Sequence, residues 1–203
     1  MNRLFTLLLL CFATTLVHGQ APDSVKLPTD PDTHRITYAE VVQMPGVSQA
    51  ELYTRAKIWF AEAFKSAKDV VQADEKDAGI VQGSAWSPME VHFMGKNMPA
   101  SNVRLWYTVK LACREGRYRY EVSDFKYEAI PSAQFPTVPA PKAMEEVIAL
   151  WTKPAAKNGK PTKADQVRGE LSQTVASNGT GLSASIKTSM ARKPGASASG
   201  KDW

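Results

Sequence analysis

The sequence predicts an α+β protein, in which helices pack against an antiparallel sheet of about five strands. Three observations predict this fold class. A short β-branched segment, residues 34–42, precedes residues 47–64, whose apolar side chains recur at helical spacing. Segments with strand character then follow between residues 69 and 127. Helical spacing returns after residue 142, so the predicted order is β-α-β-β-β-β-α.

The segment 47–64 has the features of one amphipathic helix. Ser48 occupies the position of an N-cap, and Glu51 can complete a capping box with it. Glu51 and Arg55 lie one helical turn apart, which predicts an exposed ion pair. The apolar positions form a single stripe: Leu52, Ala56, Trp59, Phe60, Ala63 and Phe64. Because such a helix is stable only when its stripe is buried, we expect it to pack on the sheet.

The strands that follow this helix are predicted over residues 69–73 and 79–86, with a polar turn between them. Residues 89–94 are expected to extend the second of these strands past Pro88. Residues 103–113 and 118–122 alternate cleanly and flank a turn at Glu115 and Gly116. With that turn, Lys110 faces Glu121 on one side of the sheet, and apolar residues face each other on the other side. The apolar pairs are Cys113 with Tyr118, Leu111 with Tyr120, and Val109 with Val122.

The alternation breaks after Val122, because Asp124 would point inward and Phe125 outward. A β-bulge near Ser123 and Asp124 corrects this and places Phe125 against Tyr107 and Tyr127 against Leu105. We favour the bulge because an unpaired inward carboxylate is costly. The alternative is that the core ends there.

The C-terminal third is predicted to be a helical region. Residues 130–141 form a proline-rich connection, residues 142–151 a short helix, and residues 153–163 a basic linker. Thr162 and Asp165 are expected to cap a helix that continues through Asn178-Gly179-Thr180-Gly181, as one long helix in preference to two. We interpret residues 20–33 as a flexible lead, residues 34–129 as the core, residues 130–191 as the connection and helices, and residues 192–203 as a disordered tail.

Two stretches of the sequence resemble a known family. They are YAEVVQMPGVSQAELYTRAKIWFAEAFKSAKDVVQADEKDAGIVQGSA and VRLWYTVKLACREGRYRYEVSDFKYE. Both are similar to family 4468 among the domains of unknown function, a group of exported bacterial proteins with a fold like that of the TATA-binding protein. The resemblance covers residues 36–128 and implies a curved antiparallel sheet with helices on one face. It implies no catalytic residues, and a fold label alone does not imply DNA binding.

The N-terminus has the pattern of a secretory signal peptide. Arg3 precedes the apolar run from Leu4 to Leu16, and Gly19 allows cleavage before Gln20; a cut after Ala21 is the alternative. Cys11 could indicate lipid anchoring, but Leu10 stands where a lipoprotein signal needs a small residue. We therefore expect residues 1–19 to be removed and the protein to be periplasmic or extracellular, with no transmembrane segment.

Composition limits the function classes. The net charge of the chain is +5, and removal of the signal peptide takes away only the charge of Arg3. The remaining positive charge is too small to predict nucleic-acid binding. Cys113 is then the single remaining cysteine, so no internal disulfide can form and stability must come from a buried core.

No catalytic or metal-binding motif is recognisable. His34 and His92 fall on different predicted strands without ligands at metal spacing, so we predict no metal and no cofactor. Cys113 with His92 could form a thiol–imidazole pair, but Cys113 shares its strand face with Val109 and Leu111 and is expected to be buried. We predict a protein that is not an enzyme.

The candidate ligand-binding surface is the other face of the final hairpin. Basic residues and one tryptophan are predicted to line it, with Glu121 as the only anion. The candidates are Arg104, Trp106, Lys110, Arg117 and Arg119, and Arg114 lies beside them. Such a strip can bind an envelope protein, a glycan or another anionic partner through charge and stacking, or it can simply be a solvated sheet face. The sequence thus predicts a binding module of the bacterial cell envelope. There are two alternatives: a carrier of a small apolar ligand between the C-terminal helix and the sheet, and an envelope hydrolase.

Overall fold

A computed structural model describes residues 25–95, 97–133, 136–152 and 161–193. The elements in chain order are β1 (Tyr38–Gln43), α1 (Gln49–Ala63), α2 (Ala67–Val70), β2 (Val71–Glu75), β3 (Ile80–Val91), β4 (Ser101–Arg114), β5 (Arg117–Ala129), β6 (Lys142–Ala143), α3 (Met144–Leu150) and α4 (Lys163–Ala191). The five predicted strands and the predicted order of the elements are confirmed. The short α2, and β6 with its two residues, were not predicted.

The sheet is antiparallel and has the strand order β1-β5-β4-β3-β2, with β6 pairing the far part of β5. The predicted hairpin register is confirmed: Cys113 pairs with Tyr118 and Lys110 with Glu121. Gly116 adopts φ +69° in the turn, a conformation that glycine adopts without steric cost. β3 continues through Pro88, as predicted.

The bulge in β5 is also confirmed. Thr108 pairs with Ser123, but Trp106 pairs with Lys126, so one additional residue lies on β5 between these pairs. Asp124 adopts φ +55°, and Phe125 is completely buried with its ring 6.3 Å from that of Tyr107. The inward carboxylate that a regular strand would require is thereby avoided.

The core lies between one face of the sheet and the helices α1, α3 and α4. Every odd position from Val103 to Cys113 is buried, as are Leu52, Trp59 and Phe60 of α1. From α4, the core receives Val167, Leu171, Val175, Ile186 and Met190. We call this side of the sheet the inner face and the opposite side the outer face. The prediction that α1 buries its aromatic stripe against the sheet is therefore confirmed.

The N-terminus of α1 differs from the prediction in its polar contacts. Ser48 Oγ accepts the predicted hydrogen bond from the backbone N–H of Glu51, at 3.2 Å. The Glu51 carboxylate does not complete the predicted capping box with the Ser48 backbone and accepts from Arg55 instead. The predicted Glu51–Arg55 ion pair is thus present, at 2.5 Å, but its exposure was predicted wrongly, because Arg55 is only 4% exposed. Its guanidinium also donates to the backbone carbonyl of Met190 at 2.6 Å. Arg55 thus joins α1 to the C-terminal turn of α4, which lacks a basic residue of its own.

Helix α4 is one continuous helix of 29 residues, as predicted. The predicted capping box is present: Thr162 Oγ1 accepts from the Asp165 N–H, and the Asp165 carboxylate accepts from the Thr162 N–H. Gly179 is required for close packing, because a Cβ atom there would lie 2.3 Å from the ring of Tyr38. The helix therefore packs closely against β1 at Gly179.

Several predicted boundaries are corrected. β1 begins at Tyr38 and not at His34, because His34 has φ +56° in a turn and Ile36 forms an isolated bridge with Thr29. Asp69 belongs to α2, so β2 begins two residues later than predicted. The lead predicted as flexible is anchored within residues 25–33 by the bridge of Thr29 and by Leu27, which packs on the core.

Other predictions fall on residues outside the described ranges. They are the signal peptide over residues 1–19, most of the basic linker, and the tail from residue 194 onward. Among the helices in the described ranges, none combines the length and hydropathy needed to cross a bilayer.

Candidate functional site

The outer face carries the candidate residues because strands alternate. The odd positions of β4 point to the core, so Arg104, Trp106 and Lys110 point to the opposite side. The long helices α1 and α4 bury their apolar residues against the inner face. Trp86, in the neighbouring strand, remains 46% exposed on the outer face. The helices within the described ranges thus leave this surface uncovered, and its polar residues separate into two groups.

The first group, which we call the tryptophan cluster, consists of Trp86, Trp106, Arg104 and Glu128. Trp86 and Trp106 are direct cross-strand partners. The Arg104 guanidinium lies over the Trp86 ring, 4.9 Å from its centroid, and donates to Glu128 Oε2 at 3.1 Å. Trp106 Nε1 donates to the same oxygen at 2.8 Å, and this hydrogen bond, more than that from Arg104, holds the pKa of the Glu128 carboxyl below its usual value. Both polar candidates of this group are therefore already bound to one carboxylate.

The second group, which we call the hairpin cluster, consists of Arg114, Arg117 and Arg119 at the turn between β4 and β5. With Val41, Ala112 and Tyr118 they line a concavity of about 350 Å³. The three arginines are exposed, and Val41, which pairs with Arg119 across the strands, is 51% exposed. This end of the sheet therefore presents cations around an apolar floor.

The charges of the hairpin cluster are only partly balanced. Arg114 and Arg117 are direct cross-strand partners, and neither forms an ion pair with any residue that the structure describes. Glu115, in the turn between them, directs its carboxylate elsewhere: its Oε2 accepts from the backbone N–H of Gln49 at the beginning of α1, at 3.1 Å. Arg119 donates to Glu121 Oε2 at 3.1 Å. The uncompensated positive charge is thus concentrated on the pair that flanks the turn.

The five candidates therefore do not form one site. Arg104 and Trp106 belong to the tryptophan cluster, Arg117 and Arg119 belong to the hairpin cluster, and Lys110 pairs with Glu121 between them. The prediction that Glu121 is the only anion of this face is wrong, because Glu128 also lies there. Glu128 was overlooked although the predicted bulge, by placing Tyr127 on the inner face, already turns Glu128 to the outer face. Trp86 was overlooked as well, although the alternation of β3 could have identified it.

Cys113 and His92 do not form a catalytic pair. Val91 pairs with Ser101 at the beginning of β4, whereas Cys113 lies near the end of that strand. At about 3.3 Å per residue, the two side chains are separated by roughly 40 Å along the sheet. Burial raises the pKa of the Cys113 thiol to about 12, so it is protonated at neutral pH. These two residues therefore provide no nucleophile and base.

His92 instead joins the sheet to α4. Its Nδ1 lies 2.7 Å from Glu170 Oε1, and its backbone N–H donates to Glu170 Oε2 at 3.1 Å. The sequence gives no sign of this contact, because the two residues are 78 positions apart. Within the described ranges, no three His, Cys, Asp or Glu side chains are grouped as metal ligands would be. The pair is best explained as a clamp that fixes α4 at the end of β3.

The alternative function, a carrier of a small apolar ligand, requires a pocket. The candidate pocket is a groove near α3 and α4. It has a volume of about 290 Å³ and is lined by Val25, Leu27, Thr29, Ile36, Glu145, Ile148, Arg168 and Ser172. Glu145 Oε1 accepts from the backbone N–H of Ile36 at 2.6 Å. Charged Glu145 and Arg168 stand in its wall, so the groove is not a purely apolar pocket.

Comparison with known proteins identifies the fold. A crystal structure of a TBP-like protein from Parabacteroides distasonis ATCC 8503 has 17% sequence identity and a TM-score of 0.52, covering 78% of this chain and 94% of the other. A DUF4468 family protein from Bacteroides ovatus ATCC 8483 has 15% identity and a TM-score of 0.56, covering 84% of this chain and 94% of the other. At these identities the likeness concerns the fold alone. A search of curated proteins found no match.

The family comparison covers the core of the sheet. The matching family model is described as a domain of unknown function, DUF4468, with a TBP-like fold, and the match begins at Tyr38 and ends at Glu128. These limits are the beginning of β1 and the penultimate residue of β5. Over residues 38–128, the chain therefore matches the model of the DUF4468 family and shares its TBP-like fold.

Proposed function

We propose that this protein is an exported, non-enzymatic binding module of the cell envelope that recognises an anionic partner on the outer face of its sheet. The observation that carries this proposal is the unbalanced hairpin cluster. Arg114 and Arg117 face each other on a surface that the long helices leave open, beside the exposed Val41. Like charges directly opposite each other destabilise a strand pair, so this arrangement is better suited to binding than to stability.

The tryptophan cluster supports the proposal as a neighbouring contact area. Trp86 is a large, exposed and orientationally fixed side chain, held under Arg104. Aromatic and arginine side chains are enriched where proteins bind their partners, because they combine apolar area with directed polar groups. An envelope protein or a glycan with negative charge would be able to contact both clusters along the same strands.

Export is a separate part of the proposal. It is supported by the apolar run from Leu4 to Leu16 after Arg3 and by the small residue Gly19. N-terminal sequencing of the protein recovered from the periplasm or the culture medium tests it. A mature protein that begins at Gln20 or Pro22 is expected, and an intact N-terminus on a cytoplasmic protein would refute export.

The binding function is tested by capture from a cell-envelope fraction of the host, comparing the native protein with the double variant Arg117→Glu/Arg119→Glu. The native protein is expected to retain an anionic partner that added salt releases, because exposed charges are screened over about 10 Å at 0.1 M salt. The variant is expected to lose that partner.

The matched control is Lys65→Glu/Lys193→Glu, which changes the net charge by the same amount. Lys65 follows α1 and Lys193 follows α4, and both are exposed. This control should retain the partner. Equal retention by all three proteins would show that the outer face does not bind, and equal loss in both variants would show that only net charge matters.

A further inference from the structure

We propose that the hairpin cluster is a binding site for a phosphate group, presented by a phosphorylated sugar or by a lipid headgroup. This inference deepens the proposed function, on which it rests, by naming the chemical class that the outer face recognises. It concerns Arg114, Arg117 and Arg119 and the concavity of about 350 Å³ that they line.

The first argument is electrostatic. The two-residue turn places Arg114 and Arg117 directly opposite each other, and Arg119 follows Arg117 on the same face. Glu115 could have balanced this pair, but its carboxylate accepts from the Gln49 N–H instead. Among the described residues, the carboxylates near the cluster act on Arg119: Glu121 through an ion pair and Asp30 through a weaker charge interaction. An anion between Arg114 and Arg117 would remove their repulsion.

The second argument concerns the shape of the anion. A guanidinium group presents two parallel N–H donors that match two oxygens of a carboxylate or a phosphate. The two oxygens of a carboxylate lie in one plane and match the fork of a single guanidinium group. A phosphate has oxygens on several edges, so it can accept from guanidinium groups that approach from two strands. Three arginines around one concavity therefore favour phosphate over carboxylate.

The third argument concerns what carries the phosphate. The concavity is far larger than one phosphate group needs, and Val41 and Ala112 supply apolar surface within it. A sugar ring or the glycerol part of a lipid would cover this surface when its phosphate lies between the arginines. Burial of that apolar area would add to the charge-assisted hydrogen bonds.

The test uses the full chain and inorganic phosphate as the first probe. Thermal unfolding is followed in sodium phosphate and in sodium acetate at equal pH and ionic strength, at concentrations low enough to avoid general salting effects. A saturable rise of the unfolding temperature with phosphate, absent with acetate, is expected. The variant Arg117→Gln should bind phosphate about tenfold more weakly, because a charge-assisted contact is lost. Lys65→Gln, an exposed cation outside the cluster, should respond as the native protein does.

One further readout separates a binding role from a structural role. Without phosphate, Arg117→Gln should unfold at the same temperature as the native protein or above it, because the repulsion with Arg114 is gone. A destabilised Arg117→Gln whose phosphate response is unchanged would overturn the proposal, as would equal responses to phosphate and acetate.

Two more probes distinguish the sources of the phosphate. Glucose 6-phosphate should compete more strongly than inorganic phosphate if a phosphorylated sugar is recognised. Vesicles of phosphatidylcholine containing phosphatidic acid should retain the native protein, but not Arg117→Gln, if a lipid headgroup is recognised. The absence of binding to all of these probes overturns the inference.

If a partner is captured from the envelope but phosphate does not compete with it, the proposed function stands and the phosphate site is wrong. If phosphate binds but nothing is captured, the site stands and the envelope function is wrong.

Discussion

Gly179 and Gly181 provide a sharp test of how α4 packs on the sheet. Both lie in the middle of the same helix, where replacing glycine by alanine stabilises the helix by about 1 kcal/mol when nothing else changes. They differ in their surroundings. A Cβ atom at Gly181 would have no neighbour within 4 Å, whereas one at Gly179 would lie 2.3 to 2.6 Å from three ring atoms of Tyr38.

Gly181→Ala is therefore expected to be the more stable of the two variants, by about 1–3 kcal/mol. Gly181→Ala should stabilise the protein by about 1 kcal/mol. Gly179→Ala makes the same gain, but overpacking costs about 1–3 kcal/mol, so the variant should be unchanged or up to about 2 kcal/mol less stable than the native protein. The ring of Tyr38 cannot easily move away, because it packs edge-on against the buried Phe125 with 6.0 Å between the ring centroids.

Urea unfolding followed by circular dichroism measures both variants, and the free energies of unfolding are compared at equal m-values. Adding Gly179→Ala to a Tyr38→Ala background should recover the stabilisation of about 1 kcal/mol, because the obstructing ring is gone. If Gly179→Ala stabilises the native protein as much as Gly181→Ala does, then α4 does not contact β1 as described, and this account of the helix is refuted.

Three further predictions concern other contacts of the core. Arg55→Met should lower the free energy of unfolding by about 1.5–3 kcal/mol, measured by urea unfolding, because the carbonyl of Met190 loses its charged donor in a buried place. Hydrogen bonds, chiefly from Lys187, hold the pKa of the Glu40 carboxyl below its usual value, so its stabilising effect is present at neutral pH and disappears as the pH falls through that lowered pKa. Thermal unfolding of Glu40→Gln should therefore show a deficit at pH 7 that vanishes in acid, and a deficit independent of pH would contradict this. Cys113 should react with a maleimide at pH 7 only as fast as the protein unfolds, since it is buried and its pKa is raised to about 12; rapid labelling of the native protein would mean that the faces of β4 are assigned wrongly.

The sequence was sufficient to predict contacts that depend on alternation and on one turn. The register of the hairpin follows from the turn at Glu115 and Gly116. Counting backward along β4 from Cys113 and forward along β5 then gives each apolar pair. Helix caps at Ser48 and Thr162 are predictable for the same reason, because the residues that form them are three positions apart.

Contacts between distant segments could not be predicted in this way. Arg55 looked like an exposed member of a surface ion pair, since nothing near it in sequence shows that α4 ends over it. Glu115 appeared to be a simple turn residue, yet its carboxylate reaches Gln49, and this is what leaves the neighbouring arginines unbalanced. The sequence therefore predicted which face of the sheet carries the candidate residues, but it did not predict which of their charges are balanced by carboxylates.

The bulge at Asp124 connects the core to the candidate surface. By adding one residue to β5, it keeps Phe125 on the inner face and at the same time turns Lys126 and Glu128 to the outer face. Glu128 then binds Arg104 and Trp106, which lowers the positive charge at that end of the sheet. No such carboxylate serves Arg114 and Arg117 at the other end, in the part of the chain that the structure describes. The packing requirement of one aromatic residue thus divides a basic strip into a neutralised half and an unbalanced half, and the unbalanced half is where an anionic ligand would gain most by binding.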